Sequence, residues 1–261
     1  MISADMLGLS GKTAIVWGGG FGMGERTAHR LSEAGANVAV VDLVHARAVT
    51  VAGDITAAGG RATAVHADVT SEASVDAALA AAEAALGPVD VMATVIGVGV
   101  WGQLLDMSLA DFERSLEINL TSFFIPARAV ARSLIQGGRP GAIACVSSVS
   151  GLTAAPGHGG YGAAKAGLDA YVRYLAEETA DVPGITAFSF VPGLTDTAMQ
   201  AGLRAVSAEQ FPQVDQFRRW HDRGVAKQPA LVAEALELAL ALPHDELHGS
   251  IVEADQLLKR R

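Results

Sequence analysis

The sequence predicts an α/β protein built on a doubly wound parallel sheet of about seven strands, with helices on both faces. Along the 261 residues, short β-branched or apolar runs alternate with longer alanine-rich segments of helical spacing. Half of the residues are hydrophobic and 18% are charged, which suits a sheet that is buried on both faces. Such alternation implies right-handed crossovers and a single layered core. We therefore expect one domain over residues 1–261.

The predicted strands are short runs of Val, Ile, Ala and Thr bounded by turn residues or by helical segments. Their length fits strands that lie inside a parallel sheet. They are Thr13–Trp17, Asn37–Val41, Ala62–Ala67, Val89–Val95, Ala142–Val146, Thr186–Phe190 and a last short run near Ser250–Glu253.

The predicted helices connect these strands, and several carry capping signals such as Ser71 or the glycine after Ala34. They are Gly24–Ala34, His45–Ala58, Ser71–Leu86, Leu109–Gln136, Tyr161–Ala180 and Leu231–Ala241. The one long stretch without a clear strand is Leu194–Lys227. A connection of that length in a compact domain is usually a functional lid or has helices of its own. We expect a substrate lid at about residues 194–227.

Composition excludes several classes of function. The 28 acidic and 19 basic residues give a net charge of −9, which argues against a nucleic-acid partner. The single cysteine, Cys145, lies in an apolar run and has no internal partner, so we expect an inert buried thiol and a reducing compartment. The start of the chain, Met1–Lys12, resembles no signal peptide, and we find no membrane span. We expect a cytoplasmic protein without a metal site, since the metal-ligating residue types do not cluster.

A glycine-rich turn follows the first predicted strand. It contains Gly18, Gly20, Phe21, Gly22, Met23 and Gly24. Glycines there permit positive φ and close approach of a phosphate, while the following helix N-terminus offers unpaired N–H groups. A turn that merely needs flexibility is the alternative. Its position between strand and helix favours a Rossmann-type dinucleotide site.

Asp42, at the end of the second strand, indicates which dinucleotide is bound. A carboxylate at this distance from the glycines accepts a hydrogen bond from a ribose 2′-hydroxyl and repels a 2′-phosphate. The next two residues, Leu43 and Val44, are not basic. We therefore expect NAD rather than NADP; the alternative is a solvated residue at a strand end.

Ser148, Tyr161 and Lys165 are the candidate catalytic residues. Tyr161 and Lys165 are four residues apart and share a helix face, so the ammonium can stabilise a phenolate. A free tyrosine has a pKa near ~10 and is a poor base at neutral pH. A neighbouring cation, helped by the positive charge of an oxidised nicotinamide, would lower that pKa toward the useful range. Taken alone, such a pair arises by chance in many chains.

The motifs in register resemble those of the short-chain dehydrogenases/reductases, from Lys12 to about Asp255. In the family's order, the matching residues are the glycine turn Gly18-x-x-x-Gly22-x-Gly24, Asp68-Val69, Asn119, Ser148, Tyr161 with Lys165, and Pro192-Gly193. Six weak motifs in the same order make coincidence improbable. The Tyr-x-x-x-Lys spacing differs from that of the enoyl reductase branch.

The resemblance implies roles for these residues. Tyr161 would exchange a proton with the reacting alcohol or ketone, Ser148 would bind the reacting oxygen, and Lys165 would hold the nicotinamide ribose. Asn119 would bind a water that links Lys165 to solvent; a hydrogen-bonded helix kink is the alternative. The resemblance further assigns cofactor contacts to Asp68, Val69, Gly97, Pro192, Gly193 and Thr197. It also implies a homotetramer, assembled through the two long helices Leu109–Gln136 and Tyr161–Ala180.

The strand ends support this assignment independently. Six proposed site residues fall just after the carboxyl ends of six successive predicted strands: Gly18, Asp42, Asp68, Gly97, Ser148 and Pro192. Ligands of open parallel sheets bind at that edge.

Two positions depart from the family pattern. The family usually has Thr before the first glycine and Asn-Asn-Ala-Gly after the fourth strand, whereas this chain has Trp17 and Thr94-Val95-Ile96-Gly97. Our hypothesis is that Trp17 packs on Val95 or Ile96, so that an apolar contact replaces a polar one. The final Asp255-Gln256 also lacks the glycines that often follow the family's last strand.

The favoured function is an NAD-dependent oxidoreductase acting on a small-molecule secondary alcohol or ketone, and the alternative is a catalytically silent dinucleotide sensor. Apolar residues after the fourth strand and in the proposed lid favour a hydrophobic substrate: Val98, Trp101, Leu104, Leu105, Met199, Leu203, Phe211, Phe217 and Trp220. Arginines in the lid, at Arg204, Arg218, Arg219 and Arg223, leave an anionic group on the substrate open, although a solvated helix face is simpler. His158 is a further candidate for substrate contact.

Overall fold

The computed structural model describes residues 8–259 and contains a seven-stranded sheet in which every neighbouring pair is parallel. The strand order is β3-β2-β1-β4-β5-β6-β7. The strands are β1 (Thr13–Trp17), β2 (Asn37–Asp42), β3 (Ala62–His66), β4 (Val91–Thr94), β5 (Gly141–Val146), β6 (Ile185–Val191) and β7 (Ile251–Glu253). The strands β2 and β3 lie on one side of β1, and β4 to β7 lie on the other. The order of the strands therefore switches between β1 and β4, and a crevice forms at their carboxyl ends.

Helices cover both faces of the sheet. They are α1 (Gly22–Glu33), α2 (His45–Ala57), α3 (Glu72–Leu86), α4 (Leu109–Leu116), α5 (Ser122–Gly137), α6 (Gly159–Glu178), α7 (Ala198–Ala205), α8 (Val214–Asp222), α9 (Pro229–Leu240), α10 (His244–Leu247) and α11 (Ala254–Leu258). Buried residues of α3, α5 and α6 pack on one face, and those of α1, α2 and α9 on the other. The expected doubly wound α/β fold is confirmed.

Residues of β1 show why the strands are nearly continuous apolar runs. Ile15 and Trp17 belong to the core on the α3, α5 and α6 face, whereas Ala14 and Val16 belong to the core on the opposite face. All four side chains are fully buried. A strand covered on both faces has no polar side, so its sequence shows no alternation.

One predicted helix differs from the structure. The expected single helix Leu109–Gln136 is interrupted by a π-helical turn at Glu117–Thr121, between α4 and α5. The segment 194–227 contains two helices, α7 and α8, as expected for a long connection. Within residues 8–259, no helix is both long enough and apolar enough to cross a membrane.

Candidate active site

A cleft of about 690 Å³ runs along the carboxyl ends of the strands. Nearly all of the predicted site residues lie on its wall: Gly18, Phe21, Gly22, Met23, Gly24, Asp42, Asp68, Val69, Gly97, Ser148, Tyr161, Lys165, Pro192, Gly193 and Thr197. Gly20 and Asn119 are not on the wall, but each donates a hydrogen bond to a wall residue, Gly20 to Asp42 and Asn119 to Val98. The residues that follow six different strands therefore converge on one groove.

The glycine turn forms a close-packed cradle at one side of this cleft. Gly18 has a φ of +75°, and a Cβ there would lie 2.6 Å from the carbonyl oxygen of Val95. A Cβ on Gly24 would collide with the carbonyl oxygen of Gly18. Both positions therefore require glycine. The turn leads directly into α1, whose first residues line the cleft and whose first N–H groups have no partner within the helix, so the residues present fit the pyrophosphate of a dinucleotide.

Asp42 braces the glycine turn from the end of β2. Its Oδ2 accepts a hydrogen bond from the Gly20 N–H at 3.0 Å, and its Oδ1 accepts one from the Val44 N–H at 2.8 Å. A carboxylate has about four acceptor positions, so it can still accept hydrogen bonds from a ligand. Arg47 also lies here, with its guanidinium 5.3 Å from the ring centre of Phe21.

Asp68 stabilises the turn after β3. Its Oδ1 accepts hydrogen bonds from the Thr70 N–H at 2.9 Å and the Thr70 hydroxyl at 2.7 Å. These two bonds lower the pKa of the Asp68 carboxyl, because they stabilise the charged form. The backbone N–H of Asp68 donates to the Ser74 hydroxyl at 3.0 Å. The arrangement fixes the position of Asp68 and Val69 on the cleft wall.

Ser148 and Tyr161 lie together at the deep part of the cleft. Ser148 follows β5 and accepts a hydrogen bond from the Ser150 N–H at 3.2 Å, which starts the 3₁₀ turn Val149–Gly151. Tyr161 lies in the first turn of α6 and is 7% exposed. Burial raises the pKa of Tyr161 to about 12, and its hydrogen bond with the Ser148 side chain acts in the opposite direction. The phenol and the hydroxyl are thus already coupled.

Lys165 is buried one helical turn after Tyr161. Its ammonium donates to the carbonyl oxygens of Val146 at 2.9 Å and Ile96 at 3.3 Å. It lies 4.1 Å from the ring centre of Phe123 and 5.8 Å from that of Tyr161. Burial lowers the pKa of Lys165 to about 7. The two carbonyls hold the ammonium beneath the phenol, at the end of β4 and β5.

Asn119 is at the centre of the π-helical turn. Its amide group forms a two-point contact with the Val98 backbone: Oδ1 accepts from the N–H at 3.0 Å, and Nδ2 donates to the carbonyl at 2.9 Å. Nδ2 also donates to the Ser115 carbonyl at 3.0 Å. The side chain therefore forms hydrogen bonds at a helix irregularity, which is the alternative considered from the sequence. These bonds also fix the loop after β4. Its expected role in a water relay stays a prediction.

Trp17 is fully buried in the core beneath the cleft. It belongs to the same apolar cluster as the helices α3, α5 and α6, and Ile96 packs against that cluster, whereas Val95 packs on the opposite face. Among the described residues, its indole Nε1 has no hydrogen-bond partner. The indole and Ile96 therefore lie on the same face of the sheet, and a direct contact between them stays a prediction.

The lid aromatics pack mainly on one another. Leu203, Phe211 and Val214 form a small core of their own, against which Trp101, Val206 and Phe217 pack. His158 lies in this cluster, with ring centres 4.7 Å from Phe211 and 5.2 Å from Trp101. Leu105 is 99% exposed. Of the expected apolar substrate contacts, Val98 and Met199 lie on the cleft wall, so the aromatics contribute to the lid rather than to the wall.

The polar residues of the lid hold its own structure. Arg218 donates to the carbonyls of Arg204 and Val206, and it pairs with Asp215 at 2.8 Å. Arg204 pairs with Asp196 at 3.7 Å. Arg204 and Arg218 therefore have partners within the protein, and their presence in the lid does not require an anionic substrate group. Over residues 8–259, no group of three or more His, Cys, Asp or Glu side chains is placed to bind a metal.

Several wall residues were not identified from the sequence. They are Val41, Leu43, Ala67, Thr70, Val95, Ile96, Arg114, Glu117, Ile118, Val146, Ser147, Thr195, Ala198 and Gln200. Most flank a predicted residue in the chain. Arg114, Glu117 and Ile118 lie on the helical stretch before Asn119, and they share a helix face with one another because Arg114 is three and four residues from the other two.

Comparison with known proteins identifies the family. The family model described as short chain dehydrogenase matches residues 12–207. The chain belongs to this family. A 2,5-dichloro-2,5-cyclohexadiene-1,4-diol dehydrogenase from Sphingobium indicum is 32% identical over 251 residues, which are 96% of this chain and 98% of that protein. The sorbitol-6-phosphate 2-dehydrogenase of Escherichia coli K12 is 34% identical over 213 residues, which are 77% and 82% of the two chains.

Solved structures give the same result. The crystal structure of a dehydrogenase/reductase from Sinorhizobium meliloti 1021 matches with a TM-score of 0.80 and 29% identity, over 95% of this chain and 96% of that chain. The short-chain dehydrogenase described here is thus an oxidoreductase with a Rossmann-type fold. The relatives are named for small-molecule substrates of different chemistry.

Proposed function

We propose that this short-chain dehydrogenase transfers a hydride between NAD and a hydrophobic secondary alcohol or its ketone, with Tyr161 as acid and base. The observation that carries the proposal is the convergence of Ser148, Tyr161 and Lys165 on one cleft wall. Ser148 follows β5, Tyr161 and Lys165 lie on α6, and the phenol interacts with the Ser148 side chain. Asp42 and the glycine turn lie on the wall of the same cleft.

Tyr161 and Ser148 handle the proton and the oxygen of the substrate. In oxidation, the Tyr161 phenolate would take the O–H proton of the alcohol. In reduction, the phenol returns the proton. Bound NAD supplies the hydride acceptor or donor. The Ser148 hydroxyl donates a hydrogen bond to the reacting oxygen, where negative charge develops.

In the proposed reaction, Lys165 lowers the pKa of Tyr161, so that the phenolate can form near neutral pH. Burial raises the pKa of Tyr161 to about 12 despite the opposing effect of Ser148, and a group with that pKa is unsuitable as a base at neutral pH. An ammonium at 5.8 Å from the ring centre favours the charged phenolate, and the positive charge of an oxidised nicotinamide acts in the same direction. Because two carbonyls already hold the ammonium, its position requires no rearrangement.

Asp42 supports the choice of NAD. The carboxylate is held by the N–H groups of Gly20 and Val44, so it is fixed on the cleft wall. A fixed negative charge accepts from a ribose hydroxyl and repels a phosphate at the same place. The Arg47 guanidinium also lies near this carboxylate's turn, over the Phe21 ring.

The substrate is proposed to be hydrophobic because Val98 and Met199 line the cleft. Residues 194–227 are proposed as the lid that covers it. The lid is tied at its base, where the Thr195 and Lys227 backbones form a parallel bridge and Lys227 pairs with Asp255 at 2.9 Å.

We test this function by following NADH formation with a panel of hydrophobic secondary alcohols. At least one alcohol should be oxidised, and Tyr161→Phe should reduce the rate by about 100-fold or more because it removes the proton acceptor. Binding of NAD, followed by tryptophan fluorescence, should be nearly unchanged in this variant. If every alcohol and ketone is inert while NAD still binds, the protein is the dinucleotide sensor instead.

We also propose a homotetramer, as the family resemblance implies. Apolar side chains on the outer faces of α5 and α6 support an interface there: Phe124 is 37% exposed and Ile135 is 44% exposed. Tyr174 on α6 is 71% exposed. Sedimentation equilibrium measures the assembly directly, and a monomer at micromolar concentration would refute this part of the proposal.

A further inference from the structure

Asp169 is a buried acidic residue that the proposed reaction does not use. It lies on α6, one helical turn after Lys165 and two turns after Tyr161, so the three side chains share one face of the helix. The residue is only 3% exposed. Within the described part of the chain, neither carboxylate oxygen has a hydrogen-bond partner.

The turn after Ser148 covers this carboxylate. A Cβ added at Gly151 would lie 3.0 Å from Oδ2 of Asp169 and 2.9 Å from the carbonyl carbon of Lys165. Glycine at position 151 therefore lets the turn that begins at Ser148 pack directly over the Lys165–Asp169 stretch of α6. The acid is enclosed by the same segment that carries the proposed oxygen-binding serine.

Few charged groups surround Asp169. On α6, Lys165 lies one turn before it, and Arg173 lies one turn after it but is exposed. On the sheet beneath, the Cys145 thiol of β5 interacts electrostatically with both Asp169 and Lys165. Burial raises the pKa of that thiol to about 12, so it is neutral near pH 7. Lys165 is therefore the buried cation that shares a helix face with Asp169.

A carboxylate that is buried without hydrogen bonds is unfavourable unless an opposite charge compensates it. The same holds for the ammonium of Lys165, which is 1% exposed and is held only by carbonyl dipoles and a phenyl face. Within residues 8–259 the two groups form no direct ion pair, and the negative charge of Asp169 acts on Lys165 through the protein interior.

We propose that Asp169 is a positioning residue whose carboxylate keeps Lys165 protonated and so maintains the positive charge beneath Tyr161. The charge interaction of Lys165 with Asp169 does not depend on the proposed function; only the catalytic use of the Lys165 charge, to stabilise the Tyr161 phenolate, rests on it. Burial lowers the pKa of Lys165 to about 7 even though the negative charge of Asp169 acts in the opposite direction. Without this charge, the pKa would fall further and the lysine would be largely unprotonated at pH 7.

Lysine NMR tests this directly, because the chain contains only four lysines: Lys12, Lys165, Lys227 and Lys259. Protein labelled with ¹³C at the lysine Cε is titrated with pH, and Lys165→Arg identifies the resonance of interest. The titration needs neither substrate nor cofactor. Glu177→Gln, an exposed acid-to-amide change on the same helix, is the matched control.

Asp169→Asn should lower the titration midpoint of Lys165 by about one pH unit or more. Glu177→Gln should leave it unchanged, and Asp169→Glu should restore at least part of the shift. Asp169→Ala, which leaves no unpaired polar atom, replaces Asp169→Asn if the amide variant does not fold. An unchanged Lys165 midpoint in a folded Asp169 variant would overturn the proposal.

The outcome separates this inference from the proposed function. A shifted Lys165 midpoint in a protein that oxidises no alcohol would retain the charge interaction and reject the dehydrogenase activity. If an alcohol is oxidised, Asp169→Asn should also move the pH profile of kcat, while a merely structural role would lower kcat at every pH alike.

Discussion

The carboxylate of Asp42 accepts a hydrogen bond from the backbone N–H of Gly20 at 3.0 Å. A Cβ at Gly20 would lie 2.8 Å from the same oxygen and 2.8 Å from the Cβ of Arg47. The residue that is proposed to select the cofactor therefore also shapes the turn that would hold the pyrophosphate. Loss of its side chain changes both properties and places Arg47 beside an uncharged site.

Asp42→Ala is expected to weaken NAD binding by about tenfold, because an acceptor for the ribose and a brace of the turn are lost. NADP binding should improve, since the repelling charge is gone and Arg47 is adjacent. The double variant Asp42→Ala with Arg47→Ala separates the two causes and should lose the gain for NADP. Dissociation constants from fluorescence titration measure each variant. Unchanged affinities for both dinucleotides in Asp42→Ala would refute the role of Asp42.

A pair of glycine variants tests the cradle. Gly24→Ala should reduce NAD affinity by about tenfold or more, because the new methyl collides with the Gly18 carbonyl and displaces the turn. Gly22 is the matched control: it has a φ of +59°, but a Cβ there meets nothing within 4 Å. Gly22→Ala should cost stability of about 1–2 kcal/mol, from the backbone conformation alone. Equal NAD affinities for the two variants would contradict this account.

The strands and the glycine turn could be predicted from the sequence because both are local. A strand buried on two faces is an apolar run, and β1 was predicted with the bounds that the structure shows. The π-helical turn could not be predicted in this way. It depends on the two hydrogen bonds between Asn119 and Val98, which are 21 residues apart in the chain.

The lid shows the same limit. The sequence indicates that segment 194–227 is apolar and aromatic, but it does not indicate which surface receives those side chains. In the structure, Phe211 is fully buried beside His158, and Leu105 points to solvent. Long-range contacts of this kind depend on how separate segments meet in space, so composition alone predicts only that an apolar surface exists.

The ion pair between Arg30 and Glu237 should show an asymmetric effect on stability. It joins α1, the helix that follows the glycine turn, to α9, and the Arg30 Nε donates to Glu237 Oε2 at 2.8 Å. Glu237 is 5% exposed, whereas the Arg30 side chain is 36% exposed and also pairs with Glu33. Arg30→Met should therefore destabilise the protein by about 2–4 kcal/mol, and Glu237→Gln by less, because only the first leaves a buried charge unpaired.

The pH dependence of this pair gives a second check. Burial raises the pKa of Glu237, and Arg30 acts in the opposite direction. Without Arg30 that pKa rises further, so the protonated form is retained in the folded protein at higher pH. The destabilisation of Arg30→Met, measured by urea unfolding, should shrink as the pH is lowered toward the Glu237 pKa. A constant difference between pH 8 and pH 5 would indicate that the pair contributes packing only.

His158 should make the lid region sensitive to acid. Burial lowers its pKa to about 4, from an ordinary value of 6.5. The unfolded chain therefore takes up a proton below that ordinary value, while the folded chain resists protonation until about pH 4. The neutral His158 therefore contributes fully to the free energy of unfolding above pH ~6.5. This contribution is lost as the pH falls to ~4, and the loss is up to about 3 kcal/mol. The folded protein thus loses stability in acid through the same histidine that packs on Phe211 and Trp101.

His158→Phe should remove this component, because a phenyl ring keeps the aromatic contacts and cannot be protonated. Urea unfolding of the wild type and the variant, measured between pH 8 and pH 4, gives the difference. Their stabilities should run in parallel above pH ~7 and diverge below it, with the wild type losing more. His66→Phe is the control for the substitution itself, since His66 is exposed and lies outside the lid cluster. Parallel curves for His158→Phe over the whole range would show that this histidine does not set the acid sensitivity.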